Sequence, residues 1–407
     1  MKLSHTLRAT RVVFDDPNLV SLAGLVPTMA LAEAAGLQGL ADEHLSVPSD
    51  KGANAGLKVA SLVGGMVAGA DSIDDMALLR HGGMGRVFSA AYAPSTLGSF
   101  LREFRFGHVR QLDAVASRFL AGLAARAPLL PAAAEPSGTV ANWAVLDMDD
   151  TVVEVHGYAK QGAGFGYNRI RGLNALIATL ATPTGAPVIV AQRLRKGSTS
   201  SPRGAKRLVA DAARTASRLL PPGTPVLLRA DSAFYGRPTL SAALTGGAQV
   251  SVTVRLDPRV KAAISSIGAD AWTRIEYPHP VWDEAGQQWV SRAEVAETSY
   301  TAFSSKPKPE QVAGRLVVRR IPDLNPANKA GQGTLFNTWR YHAFFTTTDP
   351  AVFDTITADK IHRGHAIIEQ VHADLKASAL AHLPSGVFTA NAAWLVCAVI
   401  AFNLTRA

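Results

Sequence analysis

A chain of 407 residues exceeds the roughly 100–200 residues of an ordinary domain, so two or three domains are expected. Hydrophobic residues at 47% supply a sizeable core, and charged residues at 18% exclude wholesale disorder. The single cysteine, Cys397, excludes a disulfide framework or a cysteine-rich zinc module, and the net charge of +9 asks for a polyanionic partner.

Residues 1–11 have no apolar core, so no secretory leader is expected. The longest apolar run, 392–402, falls short of the ~20 residues a membrane span needs. A cytoplasmic protein lying with the nucleoid, and no membrane partner, is the expectation.

In chain order, residues 1–135 read as a helical region, with apolar stretches at 57–70 and 75–79 and a basic, aromatic helix over 96–113. Residues 132–138, preceded by Pro131 and containing Pro136 and Gly138, read as a linker. Strands follow at 143–149 (running on towards Val155), 172–180 and 187–194, the last two joined by a turn at 183–185. A helix is expected over 205–220, a strand over 225–229, a helix over 238–244 and a strand over 249–256. The order β-β-β-α-β-α-β suits an α/β, ribonuclease-H-like core spanning 140–256. Residues 257–345, with strands at 315–319 and 340–346 and with Trp272, Trp282 and Trp289, read as a β-rich insertion. Helices over 358–379 and 388–404 would complete the core from 350–407, the second apolar nearly all round and hence buried.

The charge is concentrated. Between Thr151 and Ala230 twelve basic residues face only Glu154 and Asp211, a net +10. Within that window Arg193, Arg195, Lys196, Arg203, Lys206 and Arg207 are the candidates for holding a phosphate backbone.

The chemistry resides in acids at strand ends. Leu146-Asp147-Met148-Asp149-Asp150-Thr151 puts three aspartates at the end of an apolar strand, Asp147 and Asp149 on one face and Asp150 on the other. Leu227-Leu228-Arg229-Ala230-Asp231-Ser232 ends another buried strand on a carboxylate. On the late helix His362, His365, Glu369, His372 and Lys376 fall within roughly 80° of arc. Their span of roughly 21 Å is too long for one zinc ion to use them all. Carboxylates from three such elements would instead suit Mg²⁺ or Mn²⁺, as two ions acting on a phosphodiester.

At these residues the sequence resembles a DDE-type insertion-sequence transposase with a β-rich insertion between its second Asp and its Glu. The similarity rests on the aspartate cluster, on Gly162–Gly172 (GAGFGYNRIRG), on Arg229-Ala230-Asp231-Ser232-Ala233-Phe234-Tyr235, on His362–Lys376 (HRGHAIIEQVHADLK) and on the closing Asn391 to Leu404 stretch. The resemblance implies cut-and-paste movement of DNA, with Asp149, Asp231 and Glu369 as catalytic metal ligands and Asp147 as a further candidate ligand. Lys376 would contact a phosphate. His362 and His365 stand where the family has Tyr and Arg, and would take over the DNA contacts there. The helical N-terminal region would bind terminal inverted repeats, an insertion tryptophan could stack on a displaced base, and a homodimer would hold two DNA ends.

Two other readings fit parts of the sequence. Asp147-Met148-Asp149-Asp150-Thr151 also matches the Asp-x-Asp-x-Thr signature of haloacid-dehalogenase-type phosphatases, with Asp147 as nucleophile and Asp149 as acid/base. The two histidine departures also suit a DNA-binding protein with a dead catalytic site.

Overall fold

The computed structural model describes residues 16–131, 142–166, 168–283, 288–322 and 339–407. The linker expected at 132–138 lies outside them, apart from its edge at Pro131.

The N-terminal region is helical: α1 (Leu25–Ala34), α2 (Leu37–His44), α3 (Ala55–Val67), α4 (Pro94–Arg102) and α5 (Phe106–Ala124). The expected stretch at 75–79 is a 3-10 turn, Asp74–Arg80. The helix expected over 96–113 is two helices. Arg105 turns extended (φ −111°, ψ 173°) and its N–H donates to His108 Nδ1, which caps α5 while Phe104 stays buried.

The core follows with β1 (Ala144–Glu154), β2 (Gly164–Phe165), β3 (Arg171–Ala181), β4 (Val188–Lys196), α6 (Ala205–Leu219), β5 (Val226–Ala230), α7 (Arg237–Thr245) and β6 (Ala248–Thr253). β3 is buried on both faces, which explains its near-continuous apolar run. β1 runs antiparallel to β3 and parallel to β5, and β5 runs parallel to β6. The order β4-β3-β1-β5-β6 is the ribonuclease-H-like arrangement.

The β-rich stretch is built onto this sheet. After α8 (Pro258–Ser265) come β7 (Thr273–Asp283), β8 (Gln288–Ala302), β9 (Val312–Pro322) and β10 (Trp339–Thr346). β10 pairs antiparallel with β6, and β9, β8 and β7 follow in turn, giving one ten-stranded sheet. Trp272 is half-buried there, covered by the Arg320 guanidinium 4.1 Å from its ring centre, so packing occupies it. The side chains of Trp282 and Trp289 lie outside the described residues.

The single late helix expected over 358–379 is broken into α9 (Thr355–Arg363), a 3-10 turn (Gly364–Ala366) and α10 (Ile367–Lys376). The cause is tertiary. The Arg229 guanidinium reaches the Ile361 carbonyl where α9 ends, and a Cβ on Gly364 would stand 2.6 Å from Arg229 Nη1. Finally α11 (Phe388–Leu404) is buried along most of its length and packs on α3, α5 and β4. Its Asn403 accepts from the Ile189 N–H and donates to the Ile189 carbonyl, both at 2.8 Å, satisfying backbone groups of edge strand β4.

Arg193 is drawn inward. It donates to Asp113 of α5 (2.8 Å) and to Asp211 of α6, while Arg110 of α5 bridges the same two carboxylates (2.8 and 3.1 Å). This network ties the N-terminal helices to the core, so Arg193 is a staple rather than the DNA contact expected of it. Removing it leaves two nearly buried carboxylates short of a cation. Arg193→Ala is expected to lower stability by about 3 kcal/mol, against about 0.5 kcal/mol or less for the exposed Lys206→Ala. Urea unfolding checks this, and equal midpoints for the two variants would contradict it.

Candidate active site

The parallel register of β1 and β5 sets Asp147 opposite Arg229 and Met148 opposite Ala230. Asp149 and Asp231 come next, on strands about 4.8 Å apart. Asp231 ends β5 and accepts the Ala233 N–H at 2.9 Å, which fixes its side chain at the mouth of the sheet.

The three aspartates of β1 have three different environments. Asp147 is 1% exposed. Arg229 grips it through Nε to Oδ1 (2.8 Å) and Nη2 to Oδ2 (2.6 Å), and His365 Nδ1 donates to Oδ1 (2.8 Å). Asp150, on the opposite face, is buried against Arg195 and Asn174. Asp149 alone of the three has no arginine on it. The nearest ring nitrogen is His372 Nδ1, 3.8 Å from Oδ2.

The electrostatics follow from that sorting. Burial first, then the repulsion of Asp231 and Asp150, pushes the Asp149 carboxyl up to about 7. Burial also raises Asp231 above the ordinary range, with Asp150 adding to the shift. His372 is pushed down to about 4 by burial and by Lys376 and His365, so it is neutral, and its Nε2 has no hydrogen-bond partner among the described residues. It therefore stands beside Asp149 without neutralising it.

The expected ligands and DNA contacts separate accordingly. Asp147, expected as a further metal ligand, has both oxygens engaged and holds β1 to β5 and to the 3-10 turn. The same burial removes it as a phosphatase nucleophile. His362 cannot reach DNA as expected: its ring lies between Ser251 Oγ (2.9 Å) and Thr253 Oγ1 (3.0 Å) and stacks on Phe344 at 4.0 Å. His365 is committed to Asp147. Arg195 is 8% exposed and donates to Asp150, Asn174 and the carbonyls of Ser201 and Arg203, so it builds the turn before α6 instead of binding phosphate. Lys196, Arg203, Lys206 and Arg207 are exposed, at the same end of the sheet as the carboxylates, because β4 runs parallel to β1. Lys376 is exposed at the end of α10.

Glu369 is exposed on α10. Its helical position lies between those of His365 and His372, both of which face β1 aspartates, yet it is not gathered with Asp149 and Asp231. Among the described residues no three His, Cys, Asp or Glu side chains are grouped to hold a metal ion. The donor chemistry of the Asp149–Asp231 pair nevertheless fits a divalent cation: hard oxygens, partly desolvated, with Asp231 repelling Asp149 and no arginine or lysine paired to either among the described residues. Sequence reasoning named Arg229 and His372 without giving either its role beside the β1 aspartates, and it missed Asn174. The signal for Arg229 was present, since an arginine inside Val226–Ala230 needs a buried acid.

A family described as transposase DDE domain group 1 matches residues 4–407. A similar solved structure is a cryo-EM synaptic complex of piggyBac transposase with hairpin DNA, at 10% identity and a TM-score of 0.40, covering 97% of this chain and 76% of that one. Comparison with curated proteins gave no match. With almost its whole length inside the family match, and with Asp149 within β1 and Asp231 just past the end of the neighbouring β5, the chain belongs to the group 1 DDE transposases.

Proposed function

We propose that this transposase cuts phosphodiester bonds at the terminal inverted repeats of an insertion sequence and joins the freed ends to target DNA, with Asp149 and Asp231 holding Mg²⁺ or Mn²⁺. The observation that carries the reading is the sorting of the β1 acids: arginines neutralise Asp147 and Asp150, and Asp149 is left charge-frustrated beside Asp231. When bound, a divalent ion supplies charge neutralisation and Lewis-acid polarisation of phosphate oxygens. The chain's own part is binding and orientation. Asp147, Arg229 and His365 fix the spacing of the two strands, and neutral His372 packs beside Asp149 without supplying it a charge. Glu369 is the third acid of the proposal, brought to the pair by closure of α10 about the Gly364–Ala366 turn when DNA binds. Lys196, Arg203, Lys206, Arg207 and Lys376 would hold the backbone, the N-terminal helices the repeat, and a homodimer the two ends.

A second reading, binding without cutting, draws on the exposed position of Glu369. Cleavage assays on duplexes carrying the element's own ends separate the two. Asp149→Ala, Asp231→Ala and Glu369→Ala are each expected to lower Mg²⁺-dependent cutting by at least about a thousandfold while duplex affinity stays within about twofold. Absence of cutting by the wild type, with binding intact, selects the second reading. If Glu369→Ala cuts normally while the aspartate variants do not, the closure of α10 is wrong.

The basic residues divide by salt dependence. Lys206→Ala with Arg207→Ala should lower the slope of log affinity against log salt by about 2. An unchanged slope would take α6 off the DNA path.

The raised Asp149 carboxyl gives a pH test in chelator. Its folded form keeps a proton up to about pH 7, where the unfolded chain has released it, so this group favours folding increasingly as pH falls from 8 towards 5. The stability difference between wild type and Asp149→Asn should therefore shift towards the wild type over that interval. A difference that does not change with pH would mean Asp149 is not frustrated.

A further inference from the structure

The segment between β1 and β3 carries two strongly exposed aromatic side chains. Tyr158 is 93% exposed and Phe165 66%, with Ile170 beside them at 38%. Exposed rings are ordinarily singletons; these are organised. Phe165 of β2 pairs directly with Arg171 of β3, and the Arg171 guanidinium lies 5.0 Å from the centre of the Tyr158 ring. Tyr158, Arg171 and Phe165 thus form an aromatic–guanidinium–aromatic ladder.

The ladder is held rigid from below. Arg171 donates to the Gly157 carbonyl. The Lys160 ammonium is spent on the carbonyls of Leu383 and Ser385, and Gln161 N–H donates to Gly386 (2.9 Å). At the base of β2, a Cβ on Gly197 would lie 2.0 Å from the Gly172 carbonyl oxygen and 2.4 Å from that of Gly164, so only glycine permits this approach. Arg169, at φ +61°, is exposed nearby, as are Lys196 and Arg203, and Glu154 is the exposed acid among them. Rigid display of apolar rings in a basic setting costs solubility and returns nothing unless the rings are covered in the working complex.

The occupant is argued from chemistry and position. Paired, stacked bases offer no free face and a duplex exterior offers phosphates, whereas unpaired bases stack on aromatic and guanidinium planes. The Val155 N–H donates to the Arg171 carbonyl, which places the ladder six residues beyond Asp149 along β1, about 20 Å away. At about 3.4 Å per nucleotide that is roughly six steps along a strand running from the carboxylates. We propose that Tyr158, Arg171 and Phe165 form a stacking platform for unpaired bases of the DNA strand that runs from the catalytic carboxylates, roughly six nucleotides from the bond being cut. This rests on the transposase reading for its substrate and deepens it by naming where a single-stranded stretch sits.

The test is fluorescence anisotropy in chelator with a labelled oligothymidine of about 16 nucleotides and a duplex of the same length. Tyr158→Ala with Phe165→Ala should weaken oligothymidine binding about tenfold or more and leave duplex binding within about twofold. Phe165→Trp should restore binding, with tryptophan emission quenched on adding the oligonucleotide. Single-strand affinity unchanged in the double variant, equal loss for both DNAs, or a change in oligomeric state in place of DNA binding would each overturn the platform. Asp149→Ala separates the two proposals. Wild-type cutting that Asp149→Ala abolishes, together with unchanged oligothymidine binding by the ladder variant, sinks the platform alone. Ring-dependent binding in a wild type that never cuts sinks the cleavage reading alone.

Discussion

The Asp147–Arg229 pair is the contact on which the site depends. It joins β1 to β5 in the register that makes Asp149 and Asp231 neighbours, and its guanidinium also takes the Ile361 carbonyl at the break between α9 and α10. Burying such a pair contributes little net stability, because desolvation offsets most of the attraction. What it confers is position. With Arg195 doing the same for Asp150, three acids within four positions that would otherwise repel one another are sorted into two anchored and one available.

The long sheet extends that logic. Because β10 pairs with β6, the β-rich stretch and the ribonuclease-H-like strands share one hydrogen-bonded framework. The α9 helix packs over β8 and β9 and is fixed there by Asp359, fully buried against Arg319 and Arg363. The second half of the late helix, α10, carries His372 and Glu369 past β1. The turn between the halves carries His365, so the break in the late helix is tied directly to Asp147.

Much of this was legible in the sequence. Alternating strands and helices gave the core order, and an apolar strand ending in Asp231 stood out because burial and charge seldom coincide without a purpose. What stayed hidden was which β1 aspartate is free. The deciding partners, Asn174, Arg195 and Arg229, lie 24, 45 and 82 residues away, and strand periodicity carries no information about them. The late helix was hidden for the same reason: its periodicity continues through Gly364, and only the arginine from β5 breaks it. Five polar residues that share one helical stripe on paper therefore go separate ways, His362 into β6, His365 onto Asp147, His372 beside Asp149, and Glu369 and Lys376 into solvent. Net charge likewise could not distinguish surface cations from Arg193, Arg195 and Arg229, which are consumed inside the protein.

The most direct measurement is anomalous diffraction at the manganese edge from crystals of the protein grown with Mn²⁺ and its DNA ends. A manganese peak shared by the Asp149 and Asp231 carboxylates is expected, with Asp147 still on Arg229 and Asp150 still on Arg195. Manganese bound to Asp147 or Asp150, or none at the Asp149–Asp231 pair, would contradict the division of the three aspartates on which the function rests.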